Sequence, residues 1–271
     1  MILYPNAKIN IGLNITTKRP DGYHSIETAF VPVPWKDALE IIPTDAPTSF
    51  QSTGIPIPGK SETNLCLRAH AILQNTYGIP NVSIHLHKAI PIGAGLGGGS
   101  SDAAFTIKAL NQLFHLELDL PTMEAIARPL GSDCAFFIHN KAILGYGKGD
   151  EFQPFTFPDF SNYSIVLIYP NIHISTPEAY AGVTPKQPNQ PLAEVLQMPI
   201  NEWKWNVKND FEQSIFVQHP ILETIKQELY SMNAVYVAMS GSGSCMFGLF
   251  EHLPEFPQVW KNTYTIFSSK L

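Results

Sequence analysis

The sequence predicts an α+β protein of 271 residues in two domains that meet near residue 157. Three observations carry this. In the first half, apolar and polar residues alternate over several short runs, as they do in strands with one buried face. Two helical patterns, over 64–77 and 100–114, accompany those strands. After residue 157 the order is strand, helix, strand, strand, helix, strand, which is the split βαβ arrangement. The expected domains are 1–156 and 157–271, and no internal repeat is seen.

The elements follow in order. Ala7–Ile15 alternates as a strand, and Lys18-Arg-Pro-Asp-Gly-Tyr-His24 is a turn centred on Pro20 and Asp21-Gly22. Ile26–Val33 and Ala38–Ile42 read as further strands. Residues 43–62 are rich in Pro, Thr and Ser and predict a hairpin or exposed loop. Asn64–Tyr77 predicts a helix with Leu65, Ala69, Ile72 and Leu73 on one face and Gly78 as its stop. Val82–Lys88 alternates as a half-buried strand. From Ser100, the stripe Ala103, Ile107, Leu110 and Phe114 predicts a second helix, capped by Ser100 or Ser101 with Asp102 in its first turn.

In the second half, Tyr163–Tyr169 reads as a strand and the Pro- and Gln-rich residues 184–206 as loop. Ile221, Ile225, Leu229 and Met232 align on a helix. Val235–Met239 and Cys245–Phe250 are strands joined by the turn Ser240-Gly-Ser-Gly-Ser244. A short helix near Pro257–Asn262 and a strand at Tyr264–Phe267 end the pattern.

Composition limits the function. With 44% hydrophobic and 15% charged residues, the chain can build a core. A net charge of −6 argues against nonspecific nucleic-acid binding. The three cysteines, Cys66, Cys134 and Cys245, suggest neither a disulfide framework nor a zinc site. No apolar run approaches a membrane span, and no signal-peptide pattern is seen, so a reducing cytoplasm is expected. Arginine is scarce (Arg19, Arg68 and Arg128), so any phosphate would be held mostly by backbone N–H groups and lysines.

The run Pro91, Ile92, Gly93, Ala94, Gly95, Leu96, Gly97, Gly98, Gly99, Ser100, Ser101 supplies such a cradle. Glycines let backbone N–H groups turn toward one centre, and the following helix adds free N–H groups and its dipole. Gly93-x-Gly95-x-x-Gly98 has dinucleotide-turn spacing, with Glu117 as a ribose-binding acid, but the preceding strand alternates where a Rossmann strand is continuously apolar. An ATPase P-loop needs a lysine where Ser100 stands. The remaining reading is a plain flexible loop.

Further islands stand out: Lys8 with Asn10, Asp21-Gly-Tyr-His24, Gly131-Ser-Asp133 at a helix start, and Ser240–Ser244. Asp133 suits a general base or a helix cap. Lys8 suits charge stabilisation or an edge surface position. Tyr23 and His24 suit base recognition, or turn packing and a surface histidine.

Together, Ala7-Lys-Ile-Asn10, the glycine run, Gly131-Ser-Asp133 and Ser240–Ser244 resemble the GHMP small-molecule kinases, over residues 7 to about 250. The resemblance implies an N-terminal ribosomal-protein-S5-like nucleotide domain, a ferredoxin-like C-terminal domain, ATP and Mg²⁺. It implies Lys8 and Asp133 as the catalytic pair, Asn10 on the acceptor polyol, and Gly241 and Ser242 near substrate phosphates. Arg19-Pro-Asp-Gly-Tyr-His24 is similar to the branch whose acceptor is a cytidyl-linked methylerythritol, phosphorylated at its 2-hydroxyl for non-mevalonate isoprenoid synthesis. That branch would use Tyr23, His24 and Tyr180, the last from Ile174-Ser-Thr-Pro-Glu-Ala-Tyr180, around the cytosine. Tyr180 would otherwise be a helix-face aromatic. The sequence shows no clear carboxylate pair for the metal; Ser101 suits a metal ligand or a phosphate contact, and Asp102 suits the helix dipole or a place beside the metal. Alternatives are a homoserine- or mevalonate-type kinase, a non-catalytic nucleotide sensor, or a nicotinamide dehydrogenase.

Overall fold

A computed structural model describes residues 1–59 and 63–271. The chain forms two compact units, neither of them continuous in sequence. The first comprises Met1–Ala7, Trp35–Ile92 and Gly97–Lys141; the second comprises Lys8–Pro34, Gly93–Leu96 and Ala142–Leu271. The expected boundary near residue 157 lies inside the second unit, while Lys8 and Asp133 fall in different units.

In the first unit, one sheet orders its strands Ile2–Leu3, Ala38–Pro43, Val82–Lys88, Ser49–Gly54. The alternation of Val82–Lys88 buries Val82, Ile84, Leu86 and, in the same phase, Lys88. Each of the three apolar side chains contributes about 1.5–3 kcal/mol by burial. The strand Ser49–Gly54 corrects the expected hairpin over 43–62. It runs parallel beside Val82–Lys88, and its polar, largely exposed residues give no apolar alternation to read. Residues 60–62 of that stretch lie outside the described residues. Helix Leu65–Tyr77 begins where expected: the Asn64 side chain accepts the Cys66 N–H at 2.9 Å, and Gly78 closes it in the left-handed conformation. That cap is worth about 1 kcal/mol. Helices Gly98–Leu113, Leu120–Ala127 and Cys134–His139 complete the unit.

Most residues of the other two sheets belong to the second unit. One is built on Asn6–Lys18, His24–Lys36, Ile143–Tyr146 and Glu151–Gln153, in that order. The other orders Tyr236–Met239, Met246–Phe250, Ser164–Tyr169, Thr265–Lys270, all antiparallel. With helix Pro220–Ser231 this is the split βαβ order read from the sequence. Ile225 and Leu229 of the helix share a buried core with Val166, Ile168, Val237 and Met239. The stretch 184–206 is less irregular than expected. It carries short helical turns at Leu192–Val195 and Trp203–Asn206, and the buried Glu27 carboxylate accepts the Leu192 N–H at 2.9 Å.

Candidate active site

In the first unit the glycine run ends in a helix start. Gly97, at φ +69°, is the N-cap of Gly98–Leu113, and no side chain caps it. This corrects the expected cap. Ser100 and Ser101 lie inside the first turn, because the left-handed glycine starts the helix earlier than the apolar stripe does. Ser101 is fully buried. The N–H groups of Gly98, Gly99 and Ser100 precede the first intrahelical bond, from the Ser101 N–H to the Gly97 carbonyl at 2.9 Å, and point out of the helix end, where an anion is stabilised.

Asp102 also departs from expectation. It is buried, and its Oδ2 accepts from Lys88 Nζ at 2.8 Å. Lys88 also pairs with the buried Asp37, whose Oδ1 accepts the Ala89 and Ile90 N–H groups at 2.6 and 2.8 Å. The strand end and the loop entry are thus tied to one carboxylate. Burial pushes the Asp102 carboxyl up to about 7, against the pull of Lys88, with Asp37 adding to the rise. Burial works to lower the Lys88 ammonium, but the two carboxylates outweigh it and raise it.

Asp133 is the N-cap residue of Cys134–His139, yet its side chain makes no capping bond. The helix-cap role therefore does not explain it. Its neighbour Cys134 is buried; burial pushes the thiol up to about 11, against the lowering effect of a hydrogen bond with Ser100. A Cβ on Gly131 would stand 3.3 Å from Cys134 Sγ and 3.6 Å from Ser100 Oγ. Within this unit, the Gly131–Asp133 segment therefore packs beside the open helix end.

In the second unit Lys8 is 3% exposed, and its Nζ donates to Asn10 Oδ1 at 2.6 Å. Asn10 Nδ2 donates to Thr28 Oγ1 at 3.0 Å, and Thr28 in turn donates to the Gly12 carbonyl at 2.6 Å. The relay fixes which way the Asn10 amide faces. Lys8 N–H donates to the Leu96 carbonyl at 3.0 Å, so the strand carries the glycine run's middle residues. Those residues meet the Ser240–Ser244 turn: Ser240 Oγ donates to the Gly95 carbonyl at 2.9 Å, and Cys245 N–H donates to that of Ala94 at 3.1 Å. Gly95 has φ +77°, and a Cβ there would collide with the Ser240 carbonyl. A Cβ on Gly241 would stand 3.4 Å from Lys8 Nζ and 3.3 Å from Asn10 Oδ1.

His24 stacks on Tyr180, with ring centroids 4.7 Å apart and planes 14° apart. Tyr180 meets Phe211 edge-on at 4.9 Å. Tyr23 is 61% exposed, and Lys148 Nζ lies 4.9 Å from its ring centre. Burial first, and the Lys18 charge second, hold the His24 imidazole below its ordinary value, which favours the neutral ring.

The description "GHMP kinases N terminal domain" matches residues 64–141, and "GHMP kinases C terminal" matches 198–263. A Cytophaga hutchinsonii protein named 4-diphosphocytidyl-2-C-methyl-D-erythritol kinase is 53% identical over 94% of each chain. The chain belongs to the GHMP kinases. A crystal structure of 4-(cytidine 5'-diphospho)-2C-methyl-D-erythritol kinase superposes with a TM-score of 0.82 at 31% identity, covering 99% of this chain and 98% of that one. The mevalonate kinase of Methanococcus jannaschii, at 15% identity and a TM-score of 0.72 over 99% of this chain and 97% of that one, shares the fold alone.

Within this GHMP kinase, the second unit brings together Lys8, Asn10, Gly93–Leu96 and Gly241; Ser242 lies half-buried in the same turn. His24 and Tyr180 also meet there. The first unit brings Gly97–Ser101 beside the Asp133 segment. Sequence reasoning missed Asp37, Lys88, Thr28 and Asn209. Only Lys88 left a signal, a charge in phase with Val82, Ile84 and Leu86. A cleft of about 750 Å³ in the second unit, lined in part by Asn14, Lys186, Trp205 and Lys208, contains none of the predicted residues. Among the described residues no group of three or more His, Cys, Asp or Glu is placed to hold a metal, and no helix is long and apolar enough to cross a membrane.

Proposed function

We propose that this GHMP kinase transfers the γ-phosphoryl group of ATP to the 2-hydroxyl of 4-diphosphocytidyl-2-C-methyl-D-erythritol, giving ADP and the 2-phosphate in the cytoplasm. The observation that carries this is the 53% identity, over nearly the full length of both chains, to a kinase named for that acceptor. The family modules are assigned to 1–156 and 157–271; the two family matches fall on either side of that boundary.

Phosphoryl transfer needs positioning and charge stabilisation more than covalent chemistry. The glycine run, Pro91 to Ser101, takes the ATP phosphates; its glycine turns and open helix end support this. Asp133 accepts the proton of the attacking hydroxyl, supported by a carboxylate with no capping duty. Lys8 stabilises charge on the transferring group. Asn10, its amide fixed by Lys8 and Thr28, orients the acceptor polyol. Gly241 and Ser242 lie along the substrate phosphates. Tyr23 offers an open ring to the cytosine. His24, favoured in its neutral form and backed by Tyr180, offers a ring nitrogen to the base edge. Among the described residues no group of three or more His, Cys, Asp or Glu is placed to hold a metal, so Mg²⁺ would come bound to the ATP phosphates, whose charge it would offset.

The test is ADP release with Mg-ATP, with and without the cytidyl compound, and with methylerythritol phosphate as control. Release that requires the cytidyl compound is expected. Its absence in protein that binds ATP would overturn the acceptor. Asp133→Asn should lose most turnover while ATP affinity stays; full turnover in that variant removes Asp133 from the chemistry.

A further inference from the structure

The run Asn209-Asp-Phe-Glu212 belongs to none of the islands above, yet it touches the serine–glycine turn, the strand of Lys8 and Asn10, and Tyr180. Asn209 is 3% exposed. Its Nδ2 donates to the carbonyls of Met239 and Gly241, at 2.7 and 2.8 Å, and its Oδ1 accepts the Phe211 N–H at 3.0 Å. Both N–H donors of the amide are turned onto the two residues flanking Ser240. The bond to Phe211 N–H is an ordinary local turn contact. The two donor bonds are not local, and a helix-start role does not account for them.

The neighbouring side chains act on the same parts. Glu212 Oε1 accepts the Met239 N–H at 2.8 Å, and its Oε2 is paired with Lys226 at 2.5 Å. Asp210 Oδ2 accepts the Ile15 N–H at 2.7 Å, on the strand that carries Lys8 and Asn10. Leu13 N–H donates to the Lys208 carbonyl at 2.8 Å, and Asp210 N–H donates to that of Leu13 at 2.9 Å. Phe211 braces Tyr180 from the edge.

We infer that Asn209 is a positioning residue for phosphoryl transfer: by holding the Met239 and Gly241 carbonyls, it fixes Gly241 against Lys8 Nζ and Asn10 Oδ1. This rests on the kinase reading above. A Cβ at Gly241 would crowd both groups, so the turn backbone lies close against them. A turn released from Asn209 leaves Lys8 and Asn10 with a wall that moves, and small misplacements of such groups reduce turnover steeply.

The experiment compares Asn209→Ala and Asn209→Asp with Leu222→Ala, at a temperature where all are folded by circular dichroism. Asn209→Asp keeps the shape but turns a carboxylate oxygen onto two carbonyls. Leu222→Ala loosens the same unit's core without touching the turn. Two quantities are read: amide hydrogen exchange at Ser240–Ser244, and the kcat and KM values of cytidyl-dependent ADP release. Both Asn209 variants should exchange faster at the turn and lose about 100-fold in kcat, with the KM for ATP within about threefold. Leu222→Ala should keep wild-type exchange at the turn and wild-type kcat. If Asn209→Ala keeps wild-type exchange at Ser240–Ser244, or if Leu222→Ala loses as much kcat, the inference is overturned. If the wild-type protein releases no ADP with the cytidyl compound, the kinase reading fails, and the exchange comparison alone still decides the role of Asn209.

Discussion

Two loops of this GHMP kinase are held by mirror-image devices. At the entry to the glycine loop, the Asp37 carboxylate accepts two consecutive N–H groups, those of Ala89 and Ile90. At the serine–glycine turn, the Asn209 carboxamide donates to two carbonyls, those of Met239 and Gly241. Both holders are nearly fully buried. The difference lies in what each requires. A buried carboxylate needs a counter-charge, so Lys88 is drawn into the core beside it, and Asp102 shares the lysine. A buried amide is neutral and needs only its hydrogen bonds. The glycine loop's anchor is therefore sensitive to charge and pH, whereas the amide contacts at the turn are sensitive only to donor geometry.

The largest expected effect comes from removing the counter-charge. Lys88→Met leaves Asp37 and Asp102 unpaired in the core and should cost about 3–5 kcal/mol of stability in urea unfolding. A loss below about 1 kcal/mol would mean that the Asp37 anchor does not depend on Lys88. Next is the place where the two loops meet in the second unit. Gly95→Ala puts a side chain at φ +77° and into the Ser240 carbonyl. The backbone term alone is about 1–2 kcal/mol. The clash adds to it, and ADP release should fall with it. Unchanged stability and turnover would show that the Gly95–Ser240 contact is not maintained.

The sequence exposes one of these devices and hides the other for a physical reason. Alternation, helical spacing and glycine runs are local, so the strand Val82–Lys88, the helix Leu65–Tyr77, the βαββαβ order and the glycine loop are all legible. Local pattern also shows where a side chain should be apolar, and Lys88 breaks that pattern at a core position. Asn209 leaves no such trace. It sits thirty-two residues from Gly241, and nothing in Lys208-Asn-Asp-Phe211 distinguishes a clamp from a turn. Ser49–Gly54 is hidden differently, because an exposed edge strand has no buried face to impose alternation. The helix cap is hidden because a left-handed Gly97 starts a helix without a polar side chain.

The pH sensitivity of the charged anchor can be isolated with Asp102→Asn. Burial raises the Asp102 carboxyl from 3.8 to about 7 in the folded chain. Between those values the folded chain holds this proton more tightly than the unfolded chain, so this group subtracts stability as pH rises. The asparagine has nothing to ionise and keeps an oxygen for Lys88. Its Tm relative to wild type should therefore be more favourable at pH 8 than at pH 4.5. An equal difference at both pH values would show that Asp102 stays ionised throughout, as a full partner of Lys88.

The smallest effect distinguishes, within one loop, glycines required by conformation from those required by approach. Gly99 lies in the first helical turn without a positive φ, and a Cβ there meets nothing nearer than Leu65 Cδ1 at 4.0 Å. The folded structure gives no reason for glycine at this position, and alanine loses less chain entropy on folding. Gly99→Ala should raise stability by about 0.4–1 kcal/mol. If the phosphates of ATP come up against this turn, the same variant should weaken ATP binding in calorimetry, because the added methyl group occupies the open helix end. Stabilisation with weaker binding would mark Gly99 as kept for approach of the ligand. Stabilisation with unchanged ATP affinity would place the phosphates against the turns at Gly93–Gly97 instead, and would leave the charged anchor at Asp37 as the element that shapes the site.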